Sequence, residues 1–260
     1  MKNFSFLFII ALLIGSCDIV DLPLEKPIVE PVDTTSNNQL VVDTAAINIA
    51  TRKVFVEEFT GHKCNGCPAQ TEKLVKLQAD NFPEIVVISY HAGEFSHTDN
   101  DYPTDFTTEY GDMLNDAQGN SNPYPFAVVK RRTWSEYADK YLFVGHTEWR
   151  EPIQEKLNDP SPELGIGLIA EYSETTSQID MRASIKILQD VGSELRLTVL
   201  IMEDSIIDDQ KDTRLDQTEF PGFRNPDYVH RHVMRAQVNG ADGLTGKIIV
   251  PSSGIAADEW

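Results

Sequence analysis

The sequence predicts an α/β domain followed by an all-β sandwich, both carried behind an export signal. Three observations predict it. Residues 52–158 alternate between strand-like and helix-like runs, residues beyond 164 show strand-like runs without a helical period, and the chain opens on a short basic start and an apolar run. Alternation of period two marks a strand with one buried face, and apolar spacing of three and four marks a helix.

The leader comes first in the chain. "MKN" is followed by a nearly unbroken apolar run from residue 4 to residue 14. That run is too short to span a bilayer as a helix, which needs about 20 residues, and it fits the core of a signal peptide. It ends in "IGSC", small residues directly before a cysteine, which resembles a bacterial lipobox. Cleavage there leaves Cys17 as a lipidated N-terminus. Residues 1–16 are therefore read as a lipoprotein signal peptide. Residues 17–38 follow as the lipidated cysteine and a flexible tether, because their prolines and acids cannot pack a core. The implied partner is a membrane, reached through the lipid on Cys17.

With 260 residues the chain has room for two domains beyond that tether. Its formal charge of -19 leaves no basic stripe to neutralise phosphates, so a nucleic-acid partner is excluded. The first domain, 39–160, starts with a strand at 52–59 and a helix at 68–81. A buried strand at 84–90 ("EIVVISY") follows, then a short helix at 106–114 inside a polar stretch. A strand at 126–129 and a helix at 147–158 close the domain, with Pro152 costing that helix its first turn or a kink. Strand, helix, strand, helix, strand implies a sheet covered on both faces. Pro160 and Pro162 mark the boundary to the second domain, 161–260. Its strands read as "LGIGLIAEY", "QIDMRASIKIL", "ELRLTVLIME", "YVHRHVMRAQV" and "KIIV", the pattern of an antiparallel sandwich. The acidic run 204–219 reads as a solvated loop, since it lacks the ordered ligand spacing of a calcium loop.

The chemistry concentrates in "VFVEEFTGHKCNGCPAQTEKLVKLQ". Cys64 and Cys67 are the only cysteines after Cys17, and an exported compartment permits a disulfide between them. They could be a redox pair, half of a metal site or a structural staple. A staple is disfavoured because so small a loop removes little unfolded-chain entropy. As a redox pair, Cys64 at the N-terminus of the following helix would be the attacking thiolate, favoured by the helix dipole and by His62 and Lys63 beside it. Cys67 would be the more buried, resolving thiol. Six residues before Cys64 stands Glu58, whose burial would raise its pKa and let it take the proton of Cys67, with Glu57 competing for the role. In "NPYPFAVV", Pro125 directly precedes a strand, and its peptide bond can be cis.

Zinc is the chemical rival. Cys64 and Cys67 with His62 or His91 could complete a tetrahedral site, and His230 and His232 share one face if they lie on a single strand. Those pairs fall in different domains, so no metal and no cofactor is expected. Phosphate-loop, nucleophile-elbow and metalloprotease motifs do not occur.

Strand, CxxC, helix, an acid six residues upstream and a proline before a later strand together resemble thioredoxin. "EEFTGHKCNGCP", "VVISYHAG", "YPFAVVKR" and "YVHRHVMRA" resemble the Omp28-related family of outer-membrane lipoproteins over about 54–250. That resemblance implies an α/β thioredoxin-like domain followed by an all-β immunoglobulin-like sandwich domain. It places the motif cysteines at Cys64 and Cys67, the proline at Pro125 and a strand-end histidine at His91. The chain departs from thioredoxins in carrying Lys63 where they usually have Trp, and Asn65-Gly66 between the cysteines. The family continues past Trp260, so the sandwich is expected to be incomplete, through a truncated reading frame or a strand supplied by a partner.

The expected function is thiol–disulfide exchange with extracytoplasmic protein thiols or disulfides, in the bacterial envelope and at the outer rather than the inner membrane. Cys64, Cys67, Glu58 and Pro125 would carry it, lined by His62, Lys63 and His91. The alternative is a non-enzymatic surface module, in which the α/β domain is a scaffold and the sandwich binds a protein or a glycan.

Overall fold

Val54–Thr60 forms β1, buried on both sides as a central strand must be. Val54, Val56 and Glu58 face one way, and Phe55, Glu57 and Phe59 the other. This computed structural model describes residues 53–80, 84–119, 122–131, 142–144, 146–158, 162–239, 246–251 and 253–255. All of them belong to one unit, Leu40–Trp260. The signal peptide, Cys17, the tether, Trp134, Pro160 and Trp260 lie outside the described residues.

Helix α1 (Cys67–Asp80) follows β1, then β2 (Ile85–His91), which runs parallel to β1 from Val54 opposite Ile85 to Thr60 opposite His91. Helix α2 (Glu109–Gln118) is capped by Thr108, whose hydroxyl accepts from Gly111 N. Strand β3 (Phe126–Val129) returns antiparallel to β1, and β4 (Leu142–Val144) pairs antiparallel with β3. Helix α3 (His146–Leu157) keeps Pro152 in its interior rather than at its first turn.

The second half is strand-rich. It holds β5 (Leu164–Ser173), β6 (Gln178–Ile187), β7 (Leu195–Leu197), β8 (Leu200–Glu203), β9 (Ile206–Lys211), β10 (Arg224–His230), β11 (Val233–Gln237) and β12 (Lys247–Val250). Three antiparallel pairs form, β5 with β6, β9 with β10 and β7 with β12. Strands β8 and β11 instead extend the first sheet, whose order is β4-β3-β1-β2-β11-β8. The described chain is thus mostly β, with three α-helices and one mixed sheet.

The two faces of that sheet bury different clusters. Val54, Val56, Ile85 and Val87 pack with Leu74 and Leu77 of α1 and Trp149 and Ile153 of α3. The indole N–H of Trp149 donates to Phe143 O at 2.7 Å, so the largest buried side chain is also satisfied. On the opposite face Phe59, Ile88, Tyr90 and Phe126 pack with Tyr110 and Leu114 of α2 and Met234 of β11.

Four expectations change. The helix expected at 106–114 starts at Glu109, because Thr108 supplies the cap and Phe106 packs among histidines ahead of it. "ELRLTVLIME" divides into β7 and β8, with Asn239 bonding Leu197 O and Val199 N on either side of the break. "YVHRHVMRAQV" divides at His232, whose φ of 56° turns the chain from β10 into β11. The run 204–219 is not wholly a solvated loop, since its first part holds β9, which buries Asp209 and Gln210, and Asp212 just after the strand is buried too. Arg224 chelates Asp209 through two 2.6 Å bonds, which is how a buried carboxylate is accommodated there.

Candidate functional site around the Cys64–Cys67 disulfide

Cys64 and Cys67 are joined as a disulfide, with their Cα atoms 5.4 Å apart. The helix begins at Cys67, not at Cys64. Asn65 and Gly66 are poor helix formers, so the chain makes a turn first, with Cys67 N donating to Cys64 O at 3.3 Å. The expected contrast in burial is also absent. Cys64 is 2% exposed and Cys67 1%.

Glu58 is fully buried on the α1 face of the sheet. Its Oε1 accepts from Thr71 Oγ1 at 2.6 Å and its Oε2 from Ser89 Oγ at 2.8 Å. Thr71 stands four residues after Cys67, so the two share a face of α1 and the carboxylate sits beneath the helical turn that Cys67 opens. Burial pushes the Glu58 pKa above the ordinary carboxylate value, and the two hydroxyls offset that only in part. Glu57 points to the opposite face, where Arg131 Nε and a terminal guanidinium nitrogen both donate to it at 2.6 Å and Tyr90 donates at 2.9 Å. Of the two acids, Glu58 is the one on the disulfide's side.

Pro125 is buried and follows a cis peptide bond from Tyr124. β3 pairs with β1 so that Phe126 lies opposite Phe59. Continued by one residue, that register sets Pro125 beside Thr60, just ahead of the loop that holds the cysteines. Tyr124 OH donates to Asn115 Oδ1 at 2.6 Å, which fixes the residue before the proline.

The flanking residues do less for a thiolate than expected. The Lys63 ammonium is paired with Asp99 at 3.1 Å. Burial depresses the pKa of His62, whose Nε2 lies 3.2 Å from His97 O. His91 ends β2 beside Thr60, and neither of its buried ring nitrogens has a hydrogen-bond partner among the described residues. Its pKa falls well below the ordinary value because of burial, then His230 and His62. His62, His91 and His230 all pack around Phe106, with His91 and His230 ring centroids 5.3 Å apart. His232 leaves this group through the turn that separates β10 from β11, so the two histidines do not share a strand face. Among the described residues no group of three His, Cys, Asp or Glu side chains is arranged to hold a metal ion.

Sequence reasoning missed Thr71, Ser89 and Gln210. Gln210 is almost fully buried, and its amide donates to Cys64 O at 3.1 Å and Gly61 O at 3.3 Å. Thr71 was detectable one helical turn after Cys67, and Ser89 as the lone small polar residue in "EIVVISY". Nothing near Cys64 in sequence points to Gln210.

Comparison with known proteins places the second half of the chain. Residues 114–252 match the family described as outer membrane protein Omp28, just over half of the sequence. The chain belongs to the Omp28 family. The family's description names an outer-membrane protein, and the matched stretch includes Pro125 but begins after Glu58, Cys64 and Cys67. Among solved structures, HBP35 of Porphyromonas gingivalis is similar at 15% identity and a TM-score of 0.52, over 78% of this chain and 62% of that one. Protein AGR_C_4864 from Agrobacterium tumefaciens aligns at 13% identity and a TM-score of 0.40, over 80% and 79%. No curated protein matches. Among the described residues no helix of this Omp28-family chain is long and apolar enough to cross a membrane, which says nothing about membrane strands.

Proposed function

We propose that this Omp28-family protein is a lipid-anchored envelope lipoprotein that exchanges thiols and disulfides with extracytoplasmic proteins. Its α/β half, 39–160, with β8 and β11 extending its sheet, serves as a thioredoxin-like domain, and the remaining strands of 161–260 as an immunoglobulin-like sandwich. Cys17 carries the lipid after removal of residues 1–16, and 17–38 act as the tether to the outer membrane.

The observation that carries this reading is the buried Glu58 carboxylate beneath the helical turn of Cys67. A staple needs no buried acid behind it, and burying one costs stability. In the reduced protein the Cys64 thiolate attacks a partner disulfide, forming a mixed disulfide and releasing one partner thiol. Glu58 then accepts the proton of Cys67, and the Cys67 thiolate attacks Cys64 Sγ. The partner leaves fully reduced, two electrons pass to it, and the Cys64–Cys67 disulfide remains. Pro125 and Tyr124, beside the start of the loop, present backbone to the partner chain. His62, Lys63 and His91 line the site.

The test is a pair of variants treated with a disulfide-bonded peptide. Cys67→Ser should hold a stable mixed disulfide on Cys64, and Cys64→Ser should hold none. No adduct in either variant removes the proposal.

A second reading rests on two specific observations. Both cysteines are at most 2% exposed, and the family match begins beyond them. In that reading the α/β half is a scaffold with an inert disulfide, and the strands of the second half bind a protein or glycan.

A further inference from the structure

The loop that holds the disulfide is covered by a segment more than a hundred residues away in sequence. Residues 210–213 engage four of its carbonyls. Gln210 Nε2 donates to Gly61 O and Cys64 O, Lys211 N to His62 O at 2.7 Å, and Thr213 Oγ1 reaches Asn65 O at 3.5 Å. One residue on, Arg214 fixes the segment to α1, with two 2.7 Å bonds to the Glu72 carboxylate and further bonds to Asp212.

These fastenings differ in strength. The Gln210 amide is buried, whereas the Arg214 and Glu72 side chains are 44% and 57% exposed. Exposed ion pairs contribute little and are weakened by salt, so the outer fastening opens readily and the inner one holds the closed position. The same loop is braced from another segment by Lys63 N donating to Phe95 O at 2.9 Å, and Gly61 lies so close to Phe95 O that a Cβ there would sit 2.5 Å from it. The 93–96 turn is therefore fixed against the loop, and 210–214 is the part with an exposed catch.

We propose that residues 210–214 form a strap that controls access to the Cys64–Cys67 disulfide, with Gln210 as its seat and Arg214–Glu72 as its catch. The strap occupies the loop carbonyls to which a partner's backbone N–H groups would otherwise pair. It bears on regulation of the same site and rests on the exchange reading for its biological purpose. Its geometry does not depend on that reading. Release of the catch frees 212–214 and leaves the Gln210 seat, with Lys211 N on His62 O, as the last hold on the loop. When that seat also opens, Cys64 Sγ is exposed to an attacking thiolate.

The experiment is the rate at which dithiothreitol reduces the disulfide in the folded full chain, read by alkylation of the freed thiols. Dithiothreitol supplies both electrons and leaves as its cyclic disulfide. Glu72→Gln, which opens the catch and leaves Arg214 on Asp212, should be reduced up to about fivefold faster than the unaltered protein. Arg214→Ala, which also unpairs Asp212, should be at least as fast as Glu72→Gln, and Gln210→Ala faster again. Molar salt should accelerate the unaltered protein more than Arg214→Ala, since screening of the chain's negative charge speeds the anionic reductant on both. Equal rates in Arg214→Ala, Glu72→Gln and the unaltered protein would overturn the strap. So would a salt-independent rate in the unaltered protein, a readout that needs no variant to fold. Faster variants without an adduct in Cys67→Ser would keep the strap and remove the exchange reading, and equal rates with an adduct would do the reverse.

Discussion

Glu58 accepts a 2.6 Å hydrogen bond from Thr71, one helical turn beyond Cys67. This links an acid on the central strand to the helix that carries the second cysteine, through a hydroxyl that no motif specifies. A carboxylate kept there is costly, and the hydroxyls of Thr71 and Ser89 recover only part of that cost. The arrangement is suited to taking a proton that arrives from the helix side.

The pH dependence of stability follows from that burial. Glu58 has a raised folded-state pKa, so above the ordinary carboxylate value of 4.5 the unfolded chain ionises first and stability falls as pH rises towards the folded pKa. Glu58→Gln removes this penalty. Urea unfolding should show the variant more stable than the unaltered protein at pH 7, with the gain shrinking towards pH 4. In the exchange assay the same variant should be slower by about 10²-fold, the usual contribution of a positioned general base.

The histidine cluster has the opposite sign. Burial lowers the pKa of His91 far below 6.5 and that of His230 to about 4. Their contribution is complete above 6.5 and is lost as pH falls through the folded values. In the Glu58→Gln background, where the opposite trend of Glu58 is absent, the urea midpoint should therefore drop between pH 6.5 and pH 4. His91→Leu should flatten part of that drop while costing little at pH 7, because it replaces two unpartnered ring nitrogens with apolar atoms.

Arg131 is the partner on which buried Glu57 depends. Arg131→Ala leaves that carboxylate with only Tyr90 as donor among the bonds above, and should cost about 3 kcal/mol in urea unfolding. Glu57→Gln in the same background should recover most of the loss. A change under about 0.5 kcal/mol for Arg131→Ala would show the pair to be no better than a surface one.

The α/β half was legible because each of its elements carries its own period. The buried run "EIVVISY" and the four-residue "FAVV" appear where they were expected as β2 and β3. Glu58 was legible from its spacing to Cys64, and its preference over Glu57 came only from the β1 pleat, which sends neighbouring residues to opposite faces. The second half was harder because its strands break where side chains and backbone turns decide. Asn239 bridges the break between β7 and β8 from about forty residues away, and His232 turns the chain with a positive φ that nothing local in "HRHV" announces. β9 was hidden by its charge, since "DDQKD" reads as solvated until Arg224 and Arg214 are found chelating Asp209 and Asp212. Gln210 could not be anticipated at all, because its partners, Gly61 and Cys64, are tertiary.

The central claim is tested most directly by the reduction potential of the Cys64–Cys67 pair, measured by equilibration in thiol–disulfide buffers. The account predicts a value between about -120 and -270 mV, the span of exchange catalysts. A value below about -300 mV, where structural disulfides lie, would contradict it.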